Sequence, residues 1–509
     1  MTRIGTNKMR KKIYLTLFTL SSLLFGALGF NQPASTNSAL AHEQSLQIRY
    51  VAPHGSDTGD CTDPIAPCLT MQYALQTATE GDEIRVARGT YTDPGGTVVH
   101  LEKTLSLSGG WRADFSERDP LAYLSILDGE GLGSVVRIFG NISPTIDGFT
   151  ITGGDASLNV NDPGKGGGIY SLDASTILIN NNIYDNIGYT STEVDGYGGG
   201  IYLANASATS LISANQIYSN TASSGYIGWG GGIFITNSLT TIEGNSLYGN
   251  VALNIITGTQ SIREDYRQPL KPADLPDIPP PLENEQSGGG GIGTYGGAPL
   301  ILNNHVFNNF SSLSNSGGGG GIYSSEGAVT ISGNTVEYNI SSTVDNGVGG
   351  GIAVYSADFV VITGNTVRYN TSSQGMVGKG GGIAGKWLYD SVISNNMVTD
   401  NIGSTIWYGH GGGIFVKYGY DTIVSNNTVL SNTASTADEG QGGGIFTRYT
   451  EGVTVQENDV RNNLASTIEL GQGGGIFHGE GAVYTFKNIV ENNTGSLSGQ
   501  GLGGGIYMW

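Results

Sequence analysis

The run Gly-Gly-Gly-Ile occurs eleven times in this chain. The isoleucines that close it are Ile169, Ile201, Ile233, Ile292, Ile322, Ile352, Ile383, Ile414, Ile445, Ile476 and Ile506. Their spacings are 32, 32, 59, 30, 30, 31, 31, 31, 31 and 30 residues. A fixed period near 31 residues means a repeat architecture, in which each unit buries its apolar side only by stacking on its neighbours. A second column runs inside each period, with the form Asn-x-(Ile/Val/Leu)-x-x-Asn. It recurs as Asn215 and Asn220, Asn334 and Asn339, Asn365 and Asn370, Asn396 and Asn401, Asn427 and Asn432, and Asn458 and Asn463.

Each period therefore reads as Gly-Gly-Gly, a short strand, a second strand such as Val329-Thr330-Ile331, an Asn turn, a third short strand and a polar loop. The apolar residues alternate between Gly and Asn punctuation, and no repeat window has helical spacing. Three short strands per turn, stacked turn on turn, make an all-β, right-handed parallel β-helix of about 31 residues per coil. Glycine fits one corner by close approach and positive φ. Asparagine fits another, because it tolerates a left-handed turn and its amide can bond from coil to coil.

The N-terminus has a different composition. Arg3, Lys8, Arg10, Lys11 and Lys12 precede an apolar run from Ile13 to Phe30, with Ala39-Leu40-Ala41 as a cleavage site. Residues 1–41 read as a secretory signal, with an uncleaved membrane anchor as the rival. Nothing after it is apolar enough to span a bilayer. Its removal takes five of the 23 Lys and Arg and none of the 43 Asp and Glu, so the remainder is more acidic than the formal −20 of the whole chain. Such a charge argues against nucleic acid as partner. Cys61 and Cys68 are the only cysteines, and in an exported chain they are expected to pair. Residues 42–155 lack the Gly-Ile period and are expected to supply a cap and the first coils, with a helix over Thr70 to Ala78. Residues 156–509 are the repeats. They are interrupted at 254–287 by an insertion that holds six of the 15 prolines and reads as a solvated loop or a flap.

Gly55-Ser56-Asp57, Pro67-Cys68-Leu69-Thr70-Met71-Gln72-Tyr73-Ala74, Gly81-Asp82-Glu83-Ile84 and Gly89-Thr90-Tyr91 resemble the N-terminal segment of secreted bacterial right-handed parallel β-helix proteins of the pectin-lyase-like superfamily. The Gly-Gly-Gly-Ile and Asn columns resemble the repeats of that superfamily, and also those of chlamydial polymorphic outer-membrane proteins. The resemblance implies the fold. It does not fix an activity, since the superfamily holds lyases, hydrolases and adhesins.

The columns also hold the residues that could carry chemistry. The anchor Ile should point inward, so offsets +1 and +3 from it should point outward. In three successive coils, +3 is Lys386, Lys417 and Arg448, +4 is Trp387, Tyr418 and Tyr449, and +1 is Ala384, Phe415 and Phe446. These make a strip of cations flanked by rings on an acidic protein. It reads either as a surface for acidic glycan or as a repeat-derived surface in which cations relieve acidic repulsion. Asp358, Asp390, Asp421 and Glu451 accompany it at offsets +6 or +7. Lyases of the superfamily bind Ca²⁺ through clustered carboxylates and use Arg or Lys as base, which would give that role to Arg448 or Lys417. Calcium needs six to eight oxygens, however, and one acid per coil is sparse. Gly409-His410-Gly411 matches a short polygalacturonase motif whose companion motifs are absent, and His478 falls at an inward or corner offset.

The expectation is thus a secreted or cell-surface protein, without cofactor or metal, that binds polysaccharide or a cell-surface glycan along its long face. The alternative is a polysaccharide lyase or glycoside hydrolase acting on acidic polysaccharide. The sequence stops at Gly503-Gly504-Gly505-Ile506-Tyr507-Met508-Trp509, inside a strand. That is expected of a fragment of a longer protein, or of an end that associates with another copy.

Overall fold

The computed structural model describes residues 46–255 and 287–509. The signal sequence expected over 1–41 lies outside these residues, and so does almost all of the Pro-rich insertion. The described chain winds as a parallel β-solenoid with almost no helix. The anchor isoleucines head a 13-stranded sheet, followed along each coil by a 14-stranded and a second 13-stranded sheet. The segment read from sequence as a polar loop carries two further columns of ten short strands each, such as Ile340–Ser342 and Gly347–Val348.

Every strand pairs in parallel with its counterpart one coil away, so Ile352 sits opposite Ile383 and Ile383 opposite Ile414. The bore is filled by apolar residues of the three long sheets, among them Ile352 and Val354 from one strand, Ile362 and Val367, all fully buried. The Gly run follows from close approach. Gly349 has φ +63, and a Cβ on Gly350 would run into the backbone of Gly381 and Thr371 in the next coil.

The asparagines form two continuous ladders inside the coils. Asn396 donates from its backbone N–H and from Nδ2 to Asn427 Oδ1, both at 3.0 Å, and Asn427 does the same to Asn458. The expectation that ladder asparagines hold the left-handed turn is corrected here. The residue just before them does so, as with Gly364 (φ 66), Asn395 (φ 56) and Asn426 (φ 54). The ladder amides themselves point inward and are buried. The 59-residue spacing is a single coil step, because Asn245 Nδ2 reaches Asn304 Oδ1 at 3.0 Å across it.

At the N-terminal end, the helix Met71–Thr77 lays Met71, Ala74 and Leu75 on the core. Thr70 caps it, accepting from Tyr73 N–H. Cys61 and Cys68 form a disulfide with Cα atoms 5.3 Å apart. A buried ion pair joins Arg49 to Asp82 at 2.9 Å. No described helix is long and apolar enough to cross a membrane.

Candidate functional site

The strip lies where the anchor sheet turns into the second sheet. Tyr355, Lys386, Lys417 and Arg448 are in register at offset +3. One residue on, the chain turns through the left-handed region in nearly every coil. Early coils place Asp173, Asn205, Asn237 and Gly296 there, the residue types that accept this conformation at little cost, and the next two place Glu326 (φ 58) and Ser356 (φ 46). Three successive later coils place Trp387 (φ 54), Tyr418 (φ 55) and Tyr449 (φ 52) there instead. The three rings stack with centroids 5.1 and 5.5 Å apart and planes 10° and 11° from parallel. Near-parallel rings at that spacing touch only if slipped sideways by about 3.5 Å, which uncovers part of each face.

The cations lie over these rings. Lys386 Nζ is 4.1 Å from the centroid of Trp387, Lys417 Nζ is 4.9 Å from Tyr418, and the Arg448 guanidinium is 4.7 Å from Tyr449. They are not equally open. Lys386 is only 9% exposed. Arg448 is held by Glu480, Nε to Oε2 at 2.6 Å and Nη2 to Oε1 at 3.1 Å. This bidentate pair raises the Arg448 pKa further, which makes it a poor base. Lys417 is half-buried.

Two expectations are corrected. Phe415 and Phe446 point away from the bore but do not reach solvent, at 1% and 2% exposure. They stack on each other and on Phe477, with centroids 5.0 Å apart, inside a second apolar cluster that the Gly-x strand column covers. The acids do not form one column either. Asp358 aligns with Tyr389, then Tyr420, then Glu451, so two stacked rings separate the carboxylates. Asp390 and Asp421 lie one residue further on, both at positive φ. Among the described residues, no three His, Cys, Asp or Glu side chains gather as a metal site.

The Tyr389–Tyr420 stack, centroids 4.9 Å apart and planes 5° from parallel, was not singled out from sequence. Offset +6 carries it, and grouping that offset by charge rather than by column hid it. It sets a second row of rings beside the first, with Tyr389 at 38% and Tyr449 at 39% exposure. His410 belongs to the strand Gly409–His410 and packs on Phe446 at 5.3 Å. Burial, aided by Lys379, Lys417 and Arg448, pushes its pKa down to about 3, so it is neutral. His478 points inward, bonded to Thr447 Oγ1 at 2.7 Å and Thr485 Oγ1 at 2.8 Å, and burial lowers its pKa to about 4.

The family described as "right handed beta helix region" matches residues 283–509. The chain folds as a right-handed parallel β-helix. No curated protein sequence matches it. Among solved structures, this β-helix is similar to PfbA, a surface adhesin of Streptococcus pneumoniae, with 13% identity, 78% of this chain and 86% of that one covered, and a TM-score of 0.39. It is also similar to tailspike protein 3 of bacteriophage CBA120, with 12% identity, 87% and 61% covered, and a TM-score of 0.33. A third is the GH136 lacto-N-biosidase of Eubacterium ramulus, with 11% identity, 91% and 68% covered, and a TM-score of 0.35. At such values these likenesses carry nothing about function.

Proposed function

We propose that this β-helix is a secreted or cell-surface protein that binds polysaccharide along its long face, through the corner strip of Trp387, Tyr418 and Tyr449 with Tyr389, Tyr420 and Lys417. One observation carries the reading. Three successive coils put bulky, stacked rings into a left-handed corner that earlier coils give to small or polar residues, Asp173, Asn205, Asn237, Gly296, Glu326 and Ser356. Backbone strain kept in consecutive repeats points to a role that the scaffold itself does not need. The exposed part of each ring fits the apolar face of a sugar, and the rings advance by about one coil rise, 4.8 Å, per step, as a repeating polymer requires. Lys417 adds a contact for an acidic group. Export is supported by the basic-then-apolar segment at 1–41 and by the disulfide.

The test is binding to a uronate- or sulfate-bearing polysaccharide at several salt concentrations. Trp387→Ala is expected to weaken binding about tenfold, roughly 1.4 kcal/mol, with the salt slope kept. Lys417→Ala is expected to weaken it and to flatten the slope, because an exposed ionic contact is screened. Unchanged affinity in both variants would return the strip to a structural ladder.

A further inference from the structure

A second row of rings lies on another face of the solenoid. The third sheet turns Tyr184, Tyr218, Tyr248 and Phe307 outward in four successive coils, each in register with the next. Their centroids are 5.0, 4.8 and 5.0 Å apart and their planes lie 12°, 2° and 18° from parallel. The rings are half-buried, and they are slipped in the same staircase as those of the corner strip. Two residues earlier on each strand, Asn182, Gln216, Ser246 and His305 also face outward. In a chain with a formal charge of −20, none of these eight residues is Asp, Glu, Lys or Arg.

Charge returns only where the rings stop, and there it is spent internally. Glu337 takes the next place in the column. Its carboxylate is bound by His305 Nε2 at 2.8 Å and by Arg368 Nε at 2.7 Å. The nearest acid beside the first rung is Asp185, exposed at the corner. Burial holds the Tyr218 and Tyr248 phenols above their usual range, so both keep their hydroxyl protons at neutral pH.

We infer that this row is a second binding track, separate from the corner strip, for a neutral polysaccharide chain laid along the solenoid axis. An acidic polymer would find no open cation on these strands and would meet Asp185. A protein partner needs about 800 Å² of contact on each side. This ribbon is one ring wide and spans about 14 Å from Tyr184 to Phe307, three coil rises. What it offers is a run of partly open ring faces, with the Gln216 amide and the Ser246 hydroxyl beside the two middle rungs; at the ends the Asn182 amide oxygen is buried and the His305 imidazole lies on Phe307, centroids 4.3 Å apart. A neutral sugar chain presents the complement, an apolar ring face edged by hydroxyls.

The experiment titrates the full chain with cellohexaose, laminarihexaose, maltohexaose and β-linked mannohexaose by calorimetry. At least one is expected to bind. Tyr218→Ala and Gln216→Ala are each expected to weaken that binding by about fivefold or more, and Trp387→Ala to leave it within about twofold. Gln216 is exposed and makes no core contact, so its variant reads binding without a folding cost. Failure of all four probes at millimolar concentration overturns the proposal, and so does parent-like binding by both variants. A loss seen only with Trp387→Ala also overturns it, by moving the ligand to the corner strip. So does a co-purifying protein released by Tyr218→Ala while all four sugars fail. The probes are neutral and the variants lie on another sheet, so failure of the corner-strip reading leaves this outcome unaffected.

Discussion

Replacing Asn427 by alanine removes four buried side-chain hydrogen bonds. Its Oδ1 accepts from Asn396 N–H and Asn396 Nδ2, and its Nδ2 donates to Ile393 O at 2.9 Å and to Asn458 Oδ1 at 3.0 Å. Some partners keep a second bond. Asn396 Nδ2 still reaches Ile362 O, and Asn458 Oδ1 still accepts from Asn427 N–H. The Asn396 N–H is left buried without that acceptor. An unsatisfied buried donor costs about 1–3 kcal/mol and each net bond about 1 kcal/mol, so a loss of about 3 kcal/mol is expected. Asn181, near the start of the ladder, makes three such bonds, because its Oδ1 accepts only from Phe149 N–H. Asn181→Ala should therefore cost about 1 kcal/mol less. Stacked repeats can unfold in parts, so urea midpoints should be compared by one probe, with exposed Glu469→Ala as control. Hydrogen exchange at Asn396 N–H gives a local reading. A midpoint for Asn427→Ala equal to that of the control, with no faster exchange at Asn396, would refute a coil-to-coil amide ladder.

Two further outcomes are expected. The folded-state pKa of His478 is depressed from 6.5 to about 4, so its contribution is complete above pH about 6.5 and is lost as pH falls from there toward 4. Relative to His478→Gln, the parent should lose about 3 kcal/mol over that window, read from urea midpoints at successive pH values, and parallel profiles would sink the assignment. Glu480→Gln should release the Arg448 guanidinium and so tighten binding of a sulfated polysaccharide with a steeper salt slope, whereas unchanged slopes would remove Arg448 from the strip.

The period carried most of the fold, because a residue that recurs every 31 positions must sit at one place on every coil. It placed Ile352, Ile383 and Ile414 in the bore, where they are fully buried. It also survived the insertion, whose 59 residues make one coil step from Asn245 to Asn304. The site was less legible for two reasons. The pleat does turn Phe415 and Phe446 away from the bore, but it is blind to the layer outside, and the short Gly-x strands cover both rings. The left-handed corner is a backbone property that no side chain announces alone. Its trace was the column Asp173, Asn205, Asn237 and Gly296 at the same offset as Trp387, Tyr418 and Tyr449; Glu326 and Ser356 between them already leave the Asp, Asn or Gly pattern, and the rings depart from it furthest in size.

A departure from the repeat can be weighed against the scaffold at Tyr418. Tyr418→Asn restores the residue used at Asn205 and Asn237 and should relieve about 1 kcal/mol of left-handed strain. It also removes ring contacts with Trp387 and Tyr449 and the Lys417 ammonium over the ring. Half-exposed stacks are worth about 0.5–1.5 kcal/mol each, so losing two costs about 1–3 kcal/mol and the net loss of stability should be about 2 kcal/mol or less. Phe446 makes an equal number of stacks, at 5.0 Å to Phe415 and to Phe477, but in the interior, where Phe446→Ala should cost about 3–5 kcal/mol. Similar ring contacts therefore carry different predictions, set by burial and by backbone strain. If the corner rings exist for binding, Tyr418→Asn keeps the urea midpoint closer to that of the parent than Phe446→Ala does while polysaccharide affinity falls about tenfold, the exchange of stability for function expected where a scaffold holds a strained site. A midpoint loss as large as that of Phe446→Ala, with affinity unchanged, would make the corner stack a structural rib instead.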